Sequence, residues 1–216
     1  MPSITTAKAR LRSQVRAQAA AIPGDERQRS DWLLAGRFLG LPQTAQAQTL
    51  LLFRGIGTEP DTRPILEAMW RQGKAVLLPK CLPHRAMEAR LVTDPAQLVP
   101  GPFGIPEPGE DCRAVEADRI DLILVPDLCC DKGCFRLGQG GGYYDRYLAA
   151  YRGRTVALCR DVLLRDEVPT DHFDRPVELV LTETRSFRLP LGDTPGWPLL
   201  PLRGNSPPAG WPAGPD

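Results

Sequence analysis

The chain has 216 residues, 27 Lys and Arg against 26 Asp and Glu, a net charge of +1, and 42% apolar side chains. That length supports one sizeable hydrophobic core, and the balanced charge excludes a general electrostatic attraction for nucleic acid or an anionic membrane. No segment approaches the roughly 20 apolar residues that span a bilayer, and the N-terminus lacks the apolar stretch of a secretory signal, so a cytoplasmic, single-domain protein is expected.

Helices are predicted over residues 5–22 and 25–39, broken by Pro23 and Gly24. On the first, Lys8, Arg12 and Arg16 recur every four residues and share one face, while Leu11, Val15 and Ala19 form an apolar stripe opposite. That basic face is either a solvated surface or a grip on a common anion. Short apolar runs follow at 50–53, 75–78, 120–125, 155–159 and 177–181, and their length and β-branched content suit buried strands. Between several of them lie helix-like segments at 61–72, with Asp61 as N-cap and Pro64 tolerated in the first turn, then at 142–151, and a shorter piece at 162–167. Strands alternating with helices imply an α/β fold with a mostly parallel sheet, whose ligands bind beyond the carboxyl ends of the strands. From residue 188 the chain is so rich in Pro and Gly that neither helix nor strand can propagate, which predicts a domain of residues 1–187 and a disordered tail of 188–216.

The six cysteines show no C-x-x-C pair, which argues against a zinc knuckle or a thioredoxin-like redox site. Cys129, Cys130 and Cys134 cluster in sequence, and with Cys159 or His172 they offer a soft-metal set. Adjacent cysteines make poor tetrahedral ligands, so buried thiols are the favoured reading.

The stretch RLGQGGGYYDRYL at residues 136–148 carries most of the chemistry. Gly138, Gly140, Gly141 and Gly142 allow positive φ and a close approach of several N–H groups to one anion. A helix starting near Gly142 would aim its free N–H groups at the same spot, and Arg136 would add a cation suited to phosphate oxygens. Asp145, in the first turn, is placed to hold a divalent metal already bridged to phosphates, since Mg²⁺ usually takes one or two protein carboxylates.

Together, Lys8-x3-Arg12, FRGIGTEPDT at 53–62, LPK at 78–80, FGIPEP at 103–108, DLILVP at 121–126 and the glycine-rich stretch resemble the 5-formyltetrahydrofolate cyclo-ligase family, also called methenyltetrahydrofolate synthetase. The resemblance runs from about residue 8 to 184 in order and spacing. It implies a three-layer α/β/α Rossmann-like fold and the ATP- and Mg²⁺-dependent closure of 5-formyltetrahydrofolate to 5,10-methenyltetrahydrofolate, with release of ADP and phosphate. By the same resemblance ATP would be held by Lys8, Arg12, Arg136, Leu137, Gly138, Gln139, Gly140, Gly141, Gly142, Tyr143 and Tyr144. The folate would meet Arg54, Glu59, Gln139, Gly140, Gly141, Gly142 and Tyr143, with Glu59 on the pterin. Asp145 would anchor Mg²⁺, and Arg136 and Tyr144 would be the catalytic pair. The expected partners are the folate and ATP, with neither nucleic acid nor membrane, and the chain is expected to be a monomer.

The sequence also departs from the family pattern. Residues 125–131 read VPDLCCD where many members read VPGLGFD, so Cys130 takes the place of an aromatic of the folate wall. Arg160 and Leu163 stand where an aromatic and a glutamine are frequent. These changes keep two alternatives open: a non-catalytic folate- or nucleotide-binding paralogue, and an ATP-dependent enzyme on the same scaffold with another small-molecule substrate.

Overall fold

Side chains alternate along the strands into two separate hydrophobic clusters, and this division makes the fold three-layered. The computed structural model describes residues 3–189 and Gly214. It begins with helices α1 (Ile4–Ala20), α2 (Gly24–Leu39) and the short α3 (Pro42–Gln46). Strand β1 (Thr49–Leu51) leads through α4 (Arg63–Arg71) into β2 (Ala75–Cys81). The chain folds back through β3 (Met87–Leu91), the ribbon of β4 (Leu98–Pro100) and β5 (Pro106–Pro108), and β6 (Ala114–Val115). Next come β7 (Leu122–Val125), a tight hairpin of β8 (Cys129–Cys130) and β9 (Arg136–Leu137), and α5 (Tyr143–Ala150). Strands β10 (Arg154–Leu158), β11 (Leu179–Leu181) and β12 (Ser186–Arg188) complete the sheet.

The main sheet has the order β12-β11-β10-β7-β1-β2-β3-β6. Its five central strands, β11 to β2, are parallel; β12 and β3 flank them antiparallel, and β6 pairs antiparallel with β3 at the edge. Leu50, Val76, Leu122, Leu124, Val156 and Leu179 face one side and pack with Leu34 and Phe38 of α2 and Ile65 and Met69 of α4. Leu51, Leu77, Ile123, Val125, Ala157 and Val180 face the other side and pack with Val15 and Ala19 of α1 and Leu148 of α5. Burial on both faces explains why these strands read as continuous apolar runs. A slip of one residue would exchange the two sets, so the register is strongly fixed.

The predicted helices and strands occur close to their expected bounds, and the mostly parallel three-layer architecture is the one anticipated. Three details differ. Asp61 does not cap α4; Thr62 occupies that position, and its hydroxyl donates to Phe53 O instead, at 2.5 Å. Asp61 accepts the Arg63 N–H from one residue further out, at 3.0 Å. The piece expected at 162–167 is a single 3₁₀ turn, Asp161–Leu163. The predicted tail falls outside the described residues, except that Arg188 ends β12, Leu189 follows it, and Gly214 lies against the indole of Trp32. Among the described residues no helix is long and apolar enough to cross a membrane.

The topology decides where a ligand can sit. The connection from β1 through α4 runs outward to β2, whereas β7 pairs with the opposite side of β1 and leads outward to β10. The direction of winding therefore reverses between β1 and β7, which opens a crevice beyond their carboxyl ends. The loops after β1, β7 and β10 converge there.

Candidate active site

Strand β9 delivers the glycine-rich loop to this crevice. Gly140 has φ +104° and Gly142 φ +70°, conformations that L side chains rarely adopt. A Cβ on Gly140 would also lie 3.3 Å from the guanidinium carbon of Arg12. Gly142 is the N-cap of α5 and supplies no side-chain cap, so the first-turn N–H groups are left for a ligand or solvent.

The basic face of α1 closes over the loop. Arg12 Nε donates to Gly138 O at 2.9 Å, and Arg16 Nη2 donates to Gln139 Oε1 at 2.7 Å. Gln139 then donates through Nε2 to Glu59 Oε1 at 3.0 Å. One hydrogen-bonded chain thus joins α1, the loop and the segment after β1. Glu59 also accepts the Ile56 N–H at 3.1 Å; burial pushes its pKa up, and these two bonds oppose the shift. Lys8, the third member of the basic face, instead pairs with Asp171 at 2.9 Å and with Asp174. Burial acts to lower its pKa, but the hydrogen bonds it donates to the two carboxylates, with their charges, outweigh that and raise it.

Arg136 differs from expectation. Its side chain is only 3% exposed, and Nη2 donates to Asp145 Oδ1 at 3.0 Å while Nη1 donates to Arg175 O. The guanidinium is turned inward, where it fixes the Asp145 carboxylate, rather than standing open to phosphates. Asp145 Oδ1 also accepts the Arg175 N–H at 3.3 Å. Tyr144 is the reverse case: its hydroxyl is buried yet has no hydrogen-bond partner in the protein. Burial raises its pKa, with the nearby Glu59 charge adding to the shift, so the phenol is held neutral. Leu137 is buried, and Tyr143 packs its ring against Gly141. The Arg54 charge acts on Asp61, whose pKa is lowered, against the effect of burial, chiefly by hydrogen bonds from Arg63 with a smaller contribution from Arg54.

On the far side of Glu59 a cleft is lined by Ala19, Thr58, Glu59, Pro60, Asp127, Leu128, Leu158, Arg160 and Leu163. Two of these residues were not foreseen in their roles. Arg160 has 1% of its side chain exposed and donates to Ser30 Oγ at 2.6 Å, Asp31 Oδ1 at 2.7 Å and Glu59 O at 3.4 Å. It clamps α2 to the Glu59 segment. Burial raises the pKa of Asp31, although the Arg160 charge opposes this. Asp127 is the first polar residue beyond β7, and burial pushes its carboxyl up to about 8. Its place directly after a central strand was the available signal.

Cys129, Cys130, Cys134 and Cys159 are all buried, as the favoured reading of the sequence had it. Cys134 Sγ donates to Phe187 O at 3.3 Å, and His172 stacks on Phe173 with ring centroids 3.8 Å apart. Cys130 and Cys159 instead converge with Asp127, while burial pushes the Cys129 thiol up to about 12.

Comparison with known proteins gives a consistent result. The model of the 5-formyltetrahydrofolate cyclo-ligase family matches residues 4–183. A 5-formyltetrahydrofolate cyclo-ligase of Escherichia coli (strain K12) is 30% identical over 177 residues, covering 79% of this chain and 97% of that protein. One from Mycolicibacterium smegmatis is 32% identical over 191 residues, covering 83% and 95% respectively. The solved structure of 5,10-methenyltetrahydrofolate synthetase from Aquifex aeolicus superposes with a TM-score of 0.77 at 29% identity, covering 88% of this chain and 96% of that one. That of the Mycoplasma pneumoniae synthetase has the same fold, with a TM-score of 0.66 at 20% identity over 80% of this chain and 96% of that one.

Proposed function

Because the chain belongs to the 5-formyltetrahydrofolate cyclo-ligase family and is an enzyme of that family, we propose that it closes 5-formyltetrahydrofolate to 5,10-methenyltetrahydrofolate with consumption of ATP in the presence of Mg²⁺. The observation that carries this reading is the chain of hydrogen bonds from Arg16 through Gln139 to Glu59. It ties an anion-binding loop directly to a half-buried carboxylate, which is what a reaction between a nucleotide and a second substrate requires.

The chemistry assigns work to each part. A formamide oxygen is a poor leaving group; transfer of the ATP γ-phosphoryl group to it lets N10 of the folate attack the formyl carbon, and phosphate then departs. Such transfers depend mainly on positioning and charge neutralisation. The backbone of Gly138 to Gly142, the free start of α5 and Arg12 and Arg16 would receive the phosphates. Glu59 would accept paired hydrogen bonds from pterin N–H groups. The buried, unpartnered Tyr144 hydroxyl would donate to the reacting oxygens, and Arg136 would act as a positioning residue by holding Asp145.

A divalent cation fits this donor set. Asp145 has Oδ1 committed to Arg136 and Arg175, and its side chain is 30% exposed, so one hard oxygen can serve a metal that takes its other ligands from phosphates and water. Bound Mg²⁺ would neutralise charge on the transferring phosphoryl oxygens.

The test is direct. Supplying ATP, Mg²⁺ and 5-formyltetrahydrofolate should give the near-ultraviolet absorbance of the methenyl product, with stoichiometric ADP. Folded protein that binds both ligands without forming product would make the chain a binding relative instead.

A further inference from the structure

Among the described residues, one group of three potential metal ligands converges: Asp127, Cys130 and Cys159, whose carboxylate oxygen and two sulfurs all lie within 4.8 Å of one another. All three residues are buried, at 7%, 0% and 1% exposure. We propose that they form a site for one thiophilic divalent cation of the Zn²⁺ class, separate from the oxygen-donor position at Asp145.

The donor chemistry selects the metal. Two thiolates and a carboxylate suit zinc-like ions and not Mg²⁺, which prefers oxygen alone. Mutual distances under 4.8 Å are compatible with three corners of a tetrahedron around a metal with sulfur bonds of about 2.3 Å. The ligands sit on firm supports: Asp127 follows β7, Cys159 follows β10, and these strands pair directly, while Cys130 belongs to the β8–β9 hairpin. Cys130 N–H already points at Cys159 Sγ at 3.3 Å, an outer bond of the kind that orients a metal-binding thiolate.

The cluster touches one cleft. Asp127 lines the cleft that Glu59 also lines, which gives the cluster a route to the proposed pterin end. Resting on that reading of Glu59, a bound cation would compete with folate and leave ATP binding untouched. The neighbouring Arg160 offsets the surplus negative charge of three anionic ligands.

Cobalt serves as the probe. Full-length reduced, metal-free protein titrated with Co²⁺ should develop a thiolate-to-cobalt charge-transfer band and tetrahedral visible bands that saturate at one ion per chain and disappear on adding Zn²⁺. Cys130→Ser and Cys159→Ser should each weaken binding by at least about 100-fold, the upper cost of losing even an outer partner of a ligand, while Cys134→Ser should not. Absence of the band, or an equal band in both serine variants, overturns the site. So does loss of two titratable thiols as a Cys130–Cys159 disulfide without metal uptake. If a serine variant does not fold, Asp127→Asn decides, since unchanged cobalt affinity there is incompatible with the proposal. The cobalt signal needs no substrate, so it stands even if turnover is absent. In active protein, Zn²⁺ should raise KM for the folate but not for ATP.

Discussion

Tyr144→Phe removes a hydroxyl that the folded protein buries without giving it a partner. A buried polar group left unsatisfied costs about 1–3 kcal/mol, so its removal should leave the ligand-free protein as stable as before or more stable by up to that amount. For a chain of this size each kcal/mol shifts Tm by roughly 2–4 °C. Turnover should move the other way. If the hydroxyl donates to charged phosphoryl oxygens in the transition state, a bond of about 1.5–3 kcal/mol is lost, and kcat should fall roughly 10- to 150-fold. Calorimetric melting without ligands and methenyl formation under saturating substrates read the two effects separately. The reasoning fails if Tm drops by several degrees, because the hydroxyl would then be bonded inside the protein. It fails equally if kcat is unchanged.

Three further outcomes follow from the same geometry. Gly140→Ala must place a side chain at φ +104° within 3.3 Å of the Arg12 guanidinium carbon, a strain of about 1–3 kcal/mol, so KM for ATP should rise about tenfold or more with the circular dichroism unaltered. Arg160→Leu strips the partly buried Asp31 of its partner and should cost up to about 3 kcal/mol, seen as a lower urea midpoint; a midpoint equal to wild type would deny the clamp. Glu59 has its pKa raised by burial above the ordinary 4.5, so its contribution to stability is fully present below 4.5 and is lost as pH rises through the raised folded value. Glu59→Gln should flatten that part of the stability profile. Folate affinity has the opposite sign, weakening as pH falls through the same raised pKa because the carboxylate acceptor is lost, and calorimetric titration of folate across that range would reveal a flat profile if Glu59 is not the acceptor.

What the sequence reveals follows physical reach. The central strands are legible because burial on both faces leaves unbroken apolar runs, and the loop because Gly140 and Gly142 need conformations that other residues resist. The four-residue spacing of Arg12 and Arg16 is a local pattern, and it does meet the loop. The antiparallel excursion from β3 to β6 carries no comparable signal, since its strands are short and interrupted by proline. Arg160 reads as a change in a binding wall, but its direction is set by Ser30 and Asp31, 130 and 129 residues earlier. The inward turn of Arg136 likewise depends on Arg175, 39 residues later.

The grip of α1 on the loop also bears on how the molecule is made. Arg12 bonds a residue 126 positions later, and Lys8 pairs with one 163 positions later. During synthesis, therefore, the first helix emerges long before the groups that fasten it, and its apolar stripe around Val15 and Ala19 must wait for strands β7 and β10. Such long loop closures slow folding and come late in assembly. The candidate crevice is consequently among the last parts to be completed, because the helix that covers it is held by residues translated near the other end of the domain.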